Sequence, residues 1–274
     1  MRRVVFTCMT LLLFTMCNQD KKRAEGMLAE AQAYYENGQP EAARKMLDSM
    51  KIAHPKQPEV LLEGLQLMRL VELQEQERNL AFCDSMLIVR TAEMEAMKPL
   101  FVYEKDPEYD DVGRYLDQQQ VLERNLKRSY LRSGVNEHGE MYLASVYYGS
   151  GRIHHYQLKV TAPDNTYAET AVIPEDGSAN FAFEDLGMTT EVVTYQSGKD
   201  NGVISFIYNH KDQGLNVELI TNKKNYRFAM NEGDRKSLIK TFDFAAVLSD
   251  LDRLNKERQK AENRITYLQS KVAQ

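Results

Sequence analysis

The chain has 274 residues, 43% of them apolar and 27% charged, with a formal net charge of −5. That length suits one large or two modest domains. Glycine (14) and proline (7) are scarce, which excludes collagen-like and linker-dominated chains. The acidic balance speaks against a nucleic-acid partner, because displacing counterions from phosphates takes concentrated Lys and Arg.

Arg2 and Arg3 precede thirteen uncharged residues, Val4 to Met16, and then Cys17. A positive start followed by a short apolar run is the pattern of a secretory signal peptide, here over residues 1–16. As a helix that run reaches only about 20 Å against a bilayer core of about 30 Å, too short to span. Phe14-Thr15-Met16-Cys17 resembles the lipobox of bacterial lipoproteins, with Thr15 in pattern and Phe14 and Met16 as departures. The resemblance implies diacylation of the Cys17 thiol, cleavage after Met16 and a polar tether over 17–23. It implies a lipid-anchored place in the cell envelope, with the outer membrane favoured over the inner, facing the periplasm or the cell surface. Cys8 falls inside the signal, so Cys83 stands alone in the mature domain and no Cys-rich scaffold is expected. Within the apolar stretch Leu80–Leu87 it reads as a small core residue.

Residues 24–125 carry apolar positions at three- and four-residue spacing and are expected to form a helical domain. Ala31, Tyr34, Gly38, Ala43 and Pro55, with Met27 and Leu47, resemble one tetratricopeptide repeat, a helix–turn–helix of about 34 residues. Glu30 and Met50 depart from that pattern. Ala31 and Ala43 would let two helices approach closely, while Tyr34 fills the wedge between them. Pro58 to Thr91 keeps the helical period (Leu61, Leu65, Met68) without the signature. The expected role is interaction, not chemistry. Asp106-Pro107-Glu108 is expected to open a further helix, capped by the aspartate. The acids Glu104, Asp106, Glu108, Asp110 and Asp111 lack the calcium-loop spacing and read as a solvated helix start.

Residues 126–231 are expected to form an antiparallel β domain of sandwich or meander type. Turn signals recur through it, among them Glu137-His138-Gly139, Gly149-Ser150-Gly151, Pro163-Asp164-Asn165 and Asn201-Gly202. His154, Tyr156, Leu158 and Val160, Leu215, Val217 and Leu219, and Tyr226, Phe228 and Met230 alternate as strands do. Val203 to Tyr208 is nearly all apolar and reads as a central, doubly buried strand. No site of chemistry is legible. His154 and His155 would point to opposite faces of a strand and cannot share one ion. His54, His138 and His210 lie far from them in sequence, and no H-E-x-x-H or C-x-x-C occurs. Gly149-Ser150-Gly151 reads as a hairpin turn, and Gly198–Gly202 as a connection between two strands without phosphate-loop spacing. No catalytic residue, metal or cofactor is therefore expected. Tyr142, Tyr147, Tyr148 and Tyr156 are cross-strand pairs on one reading and a sugar-binding face on another.

Residues 232–274 return to the helical period, opening at Gly233-Asp234 with Asp234 as the cap. Val247, Leu254, Ala261 and Leu268 form one heptad series, and Leu251, Arg258, Ile265 and Val272 the other. This is the seam of a coiled coil, interrupted only by Arg258. So narrow a stripe needs a partner helix: another copy, another protein, or the edge around Leu61, Leu65 and Met68 in the same chain. The fold class is thus α+β, with a tetratricopeptide-like helical domain, an antiparallel β domain and a coiled-coil-forming C-terminal helix. The Cys17 signal and this order of elements resemble lipoproteins of Bacteroides-type gut bacteria, and no activity comes with that resemblance. The expected function is a membrane-tethered protein-interaction or scaffold module without catalysis. The alternative is an envelope lipoprotein whose β domain binds a glycan or small ligand.

Overall fold

A computed structural model describes residues 2–108, 110–175 and 177–272, with side chains from residue 19 onward. The fold is α+β, with N-terminal helices, antiparallel sheets of six and four strands, and a long C-terminal helix. The chain divides into two compact units. A helical unit comprises Met1–Met86 with Leu254–Gln274, and a β unit comprises Leu87–Arg253. No helix among the described residues is long and apolar enough to cross a membrane.

The helical unit begins with α1 (Arg2–Glu36) and α2 (Pro40–Ala53), which form the expected helix–turn–helix. Gly38 takes the left-handed conformation in the turn (φ 68°), where a side chain would be strained. Pro40 then occupies the first turn of α2, where its missing N–H costs nothing. Ala24, Ala31 and Ala43 are fully buried with Leu47 and Met50, so small side chains set the close approach of the helices. The third helix, α3 (Pro58–Met97), adds Val60, Leu67 and Val71 to this core. Residues 19–23 belong to α1 and not to an extended tether. The Asp20 carboxylate accepts from His54 Nδ1 at 2.7 Å and from Gln57 Nε2 at 3.0 Å, which fastens α1 to the corner between α2 and α3.

The β unit corrects three sequence expectations. The N-terminal run of helices ends at Leu100, not near residue 125, and β1 (Phe101–Glu104) and β2 (Arg114–Asp117) follow as an antiparallel pair. Asp106-Pro107-Glu108 lies in the loop between them and opens no helix. Asp106 Oδ1 accepts from the Glu108 N–H at 2.9 Å, and Asp110 Oδ2 accepts from the Asp106 N–H at 3.0 Å. These side-chain bonds stabilise a turn in competition with helix.

The second correction concerns Gly149-Ser150-Gly151. β3 (Tyr130–Asn136) and β4 (Met141–Gly149) form a hairpin, but β5 (Gln157–Thr161) pairs with β6 (Tyr167–Glu169) in a different sheet. Gly149–Gly151 therefore begins a crossover. β7 (Asn180–Asp185) and β8 (Met188–Tyr195) complete the larger sheet, in the order β1-β2-β3-β4-β8-β7.

The third correction is α4 (Val203–Asn209), a short helix where a central strand was expected. Val203, Ile204 and Ile207 are buried at helical spacing, and Asp200 Oδ2 accepts from the Gly202 and Ile204 N–H groups at 3.2 and 3.4 Å. Capping and burial override the β-propensity of the run. Gly198–Gly202 accordingly joins a strand to a helix. β9 (Asn216–Ile220) and β10 (Tyr226–Ala229) finish the smaller sheet, in the order β10-β9-β5-β6.

The two sheets share one core. Leu131, Leu143 and Val193 of the larger sheet meet Leu158, Val160, Val217 and Leu219 of the smaller. The last helix, α5 (Glu232–Val272), starts two residues before the expected cap. Asn231 Oδ1 accepts from the Gly233 N–H at 2.7 Å, whereas Asp234 is buried against Arg128, whose Nη1 donates at 2.7 Å. Within the β unit α5 lays Phe244 on Phe101, with ring centroids 4.4 Å apart. Gly139 at the β3–β4 turn (φ 82°) sits against the α5 backbone, and a Cβ there would lie 2.4 Å from Ser249 N.

Candidate functional site

β4 sorts its side chains by parity. Its register with β3 and β8 sends Leu143, Ser145 and Tyr147 inward and Tyr142, Ala144, Val146 and Tyr148 outward. Ser145 pairs with Val193 of β8, so Glu191 lies on the same inward face one step along. The crossover after β4 then delivers His155 between them.

Ser145 Oγ lies 2.9 Å from His155 Nε2, and His155 Nδ1 lies 2.9 Å from Glu191 Oε2. The Tyr195 hydroxyl lies 3.3 Å from Ser145 Oγ. Glu191 also accepts from the backbone N–H groups of Ile153, His154 and His155 at 2.7, 3.0 and 3.2 Å. Burial raises the Glu191 carboxyl, but the hydrogen bonds from His155 and from the His154 and His155 N–H groups outweigh it, and the carboxyl is held down at about 2. The ionised carboxylate can only accept, so His155 Nδ1 carries the proton; in the neutral ring Nε2 then accepts from the Ser145 hydroxyl. Burial pushes the Tyr195 phenol up. Asn180 Nδ2 donates to the carbonyls of His155 and Ile173 at 3.2 and 2.9 Å, holding the crossover in place.

A hydroxyl, an imidazole and a carboxylate in this order form the acid–base chain of a nucleophilic triad. Enclosure decides against that chemistry. Ser145 and His155 are 0% exposed and Glu191 2%, so no acyl carbonyl can reach Ser145 Oγ without the sheets parting. The array instead ties the larger sheet to the crossover that leads into the smaller. A fluorophosphonate probe is expected to leave Ser145 unmodified in the folded protein and to label no other serine at stoichiometry, as intact-mass measurement would show. Stoichiometric labelling at Ser145 would make it a nucleophile.

The two histidines do diverge, although the structure places them before β5 and not on a strand. His154 pairs at the surface with Glu175 at 2.7 Å, and His155 turns into the core. No group of three metal-ligating side chains occurs among the described residues. Of the four tyrosines, Tyr142 and Tyr148 face outward on β4. Tyr147 points into the core, edge-on to Tyr226 at 5.0 Å, and Tyr156 precedes β5. Tyr142 lies over Gly134, where a Cβ would come within 2.5 Å of its ring. It borders a cleft of about 190 Å³ that is also lined by Arg114, Asn136, Glu140, Gln196 and Ser197.

The outward face of the larger sheet carries a buried floor of Tyr130, Ala144, Val146 and Val192. Phe181 and Phe183 of β7 stand exposed on the same face. Arg132 of β3, opposite Ala144, lies on this face three strands from β7; its Nε is buried and has no hydrogen-bond partner among the described residues.

The heptad seam separates into its two series. Val247, Leu254, Ala261 and Leu268 are buried, Leu251, Arg258 and Ile265 are half-buried, and Val272 is exposed. In the helical unit α5 runs antiparallel to α3. Arg258 Nε donates to Asp84 and Arg264 Nε to Glu72, each at 2.7 Å, and Arg69 Nη1 donates to the Lys271 carbonyl at 3.4 Å. The seam thus finds a partner helix within the chain, but further along α3 than the expected edge at Leu61, Leu65 and Met68. Arg258, which breaks the apolar series, is the residue that pairs with Asp84. Cys83 is buried on α3, and the Cys17 side chain lies outside the described residues.

Sequence reasoning missed Ser145, Glu191 and Tyr195. A signal for Glu191 was present: it is an acid at the same parity as Val193 and Tyr195 in a strand of apolar and β-branched residues. Nothing in the sequence paired it with His155, 36 residues away. No protein-family model, curated protein or solved structure matches the chain.

Proposed function

We propose that the chain is a cell-envelope lipoprotein, anchored through Cys17, that acts as a protein-interaction or scaffold module and performs no catalysis. The contrast between the two faces of β4 carries this reading. The inward face encloses the one triad-like array found among the described residues, whereas the outward face offers exposed Phe181 and Phe183 on the edge strand β7 and half-buried Tyr142, Tyr148 and Arg132 on β4 and β3. Aromatic side chains and arginine are the residue types enriched at the centres of binding interfaces. The buried C-terminal seam moves the expected partner surface from α5 to this sheet face. A second reading, a glycan- or small-ligand-binding lipoprotein, rests on the cleft beside Tyr142, whose polar lining suits hydroxyl groups.

Anchoring is tested by Cys17→Ser. Because stable attachment takes two or more acyl chains, the variant is expected to leave the membrane fraction or to stall as the uncleaved precursor. An unchanged membrane fraction with Met1 still at the N-terminus would contradict the lipoprotein reading.

A further inference from the structure

We infer that the corner between α2 and α3 is a membrane-contact surface that docks on anionic phospholipid beside the lipid anchor. This rests on the proposed acylation of Cys17. Only two residues, Asn18 and Gln19, separate Cys17 from Asp20, and even fully extended the three steps between them span no more than about 11 Å. Asp20 is itself pinned to the corner by His54 and Gln57, and its neighbour Lys21 is ion-paired to Glu59 at the start of α3. A lipid on Cys17 therefore brings the bilayer surface within about one helix diameter of the α2–α3 corner. A long flexible linker would have left the orientation free; this attachment does not.

The chemistry of the corner suits that position. Ile52, in the last turn of α2, is 81% exposed, a large apolar side chain left uncovered by the described residues. Lys51 and Lys56 flank it, and Lys22 and Arg23 follow the anchor on α1. All four basic residues are exposed and form no ion pair among the described residues. The acids at this level are already engaged, Asp20 by the corner and Glu59 by Lys21, while Glu25 and Asp48 lie about one turn further from the anchor. Unpaired lysines around an exposed isoleucine are what an anionic headgroup layer over a hydrocarbon boundary accommodates.

The test uses the full chain, matured in cells, purified in detergent and reconstituted into vesicles of phosphatidylcholine with phosphatidylglycerol. Ile52→Cys carries an environment-sensitive fluorophore. Asn37→Cys is the control, beyond the far end of α1, about 24 Å of helix from Asp20. Cys83 is buried, so labelling is directed to the introduced thiol. The probe at position 52 is expected to shift to the blue and to be quenched by lipid-borne quenchers, and the probe at 37 to do neither. Each charge near an anionic surface changes the docked-to-undocked ratio by a factor of about five. Lys51→Glu with Lys56→Glu, or vesicles without phosphatidylglycerol, should therefore largely abolish quenching at 52 while the protein stays vesicle-bound. Quenching at 52 no greater than at 37 in a lipidated, vesicle-bound chain would overturn the inference, as would quenching indifferent to the charge reversal. The mass of the mature N-terminus separates the two ideas, since an unacylated Cys17 would remove both the anchor and the inference.

Discussion

Glu191→Ala is expected to destabilise the β unit by about 3–5 kcal/mol at neutral pH, because buried donors left without an acceptor each cost about 1–3 kcal/mol. The variant strands His155 in the core and leaves the N–H groups of Ile153, His154 and His155 without their acceptor. The same carboxylate makes stability pH-dependent. Its pKa is depressed from 4.5 to about 2, so its contribution is present above pH 4.5 and lost as the pH falls toward 2. A shift of that size corresponds to about 3 kcal/mol. Urea denaturation at a series of pH values checks both parts. Wild type should lose stability across that acid window, and Glu191→Ala should start lower and lose less. Equal midpoints at pH 7 would mean that the array does not hold the crossover.

Ala261→Glu is the second large effect. Ala261 is fully buried on the seam of α5, and a carboxylate placed there is desolvated while Arg258, one turn away, is already paired to Asp84, a cost of about 3 kcal/mol or more. Hydrogen exchange should report lost protection along Leu254–Val272, while strands β3 to β10 keep theirs. Ala261→Ser, close in size, should be far milder. Retained protection in the glutamate variant would show that α5 does not depend on this seam in the helical unit.

The legible parts of the fold were those set by local pattern. Ala31 and Ala43 announce close helix packing, and both are fully buried. The heptad of α5 is a local period, and its Val247, Leu254, Ala261 and Leu268 series is the buried one. What the pattern does not contain is the identity of the partner helix, because α3 lies more than 150 residues away. Val203–Asn209 misleads for a related reason. Apolar β-branched residues suit strand or buried helix equally, and the deciding groups, the Asp200 cap and the core around Ile207, are set by tertiary structure. The Ser145–His155–Glu191 array is least legible, since it requires β4 to pair with β8 across an intervening sheet.

Binding through the outward face of the larger sheet, with the inward array structural, is the centre of the account. The direct measurement is affinity capture after cross-linking in intact cells, comparing wild type, Ser145→Ala and the double variant Phe181→Glu with Phe183→Glu. Both phenylalanines are exposed, so the double variant should fold, which circular dichroism checks. The account predicts one discrete envelope protein retained by wild type and by Ser145→Ala and lost from the double variant. A partner captured equally by all three, or lost only with Ser145→Ala, would contradict it.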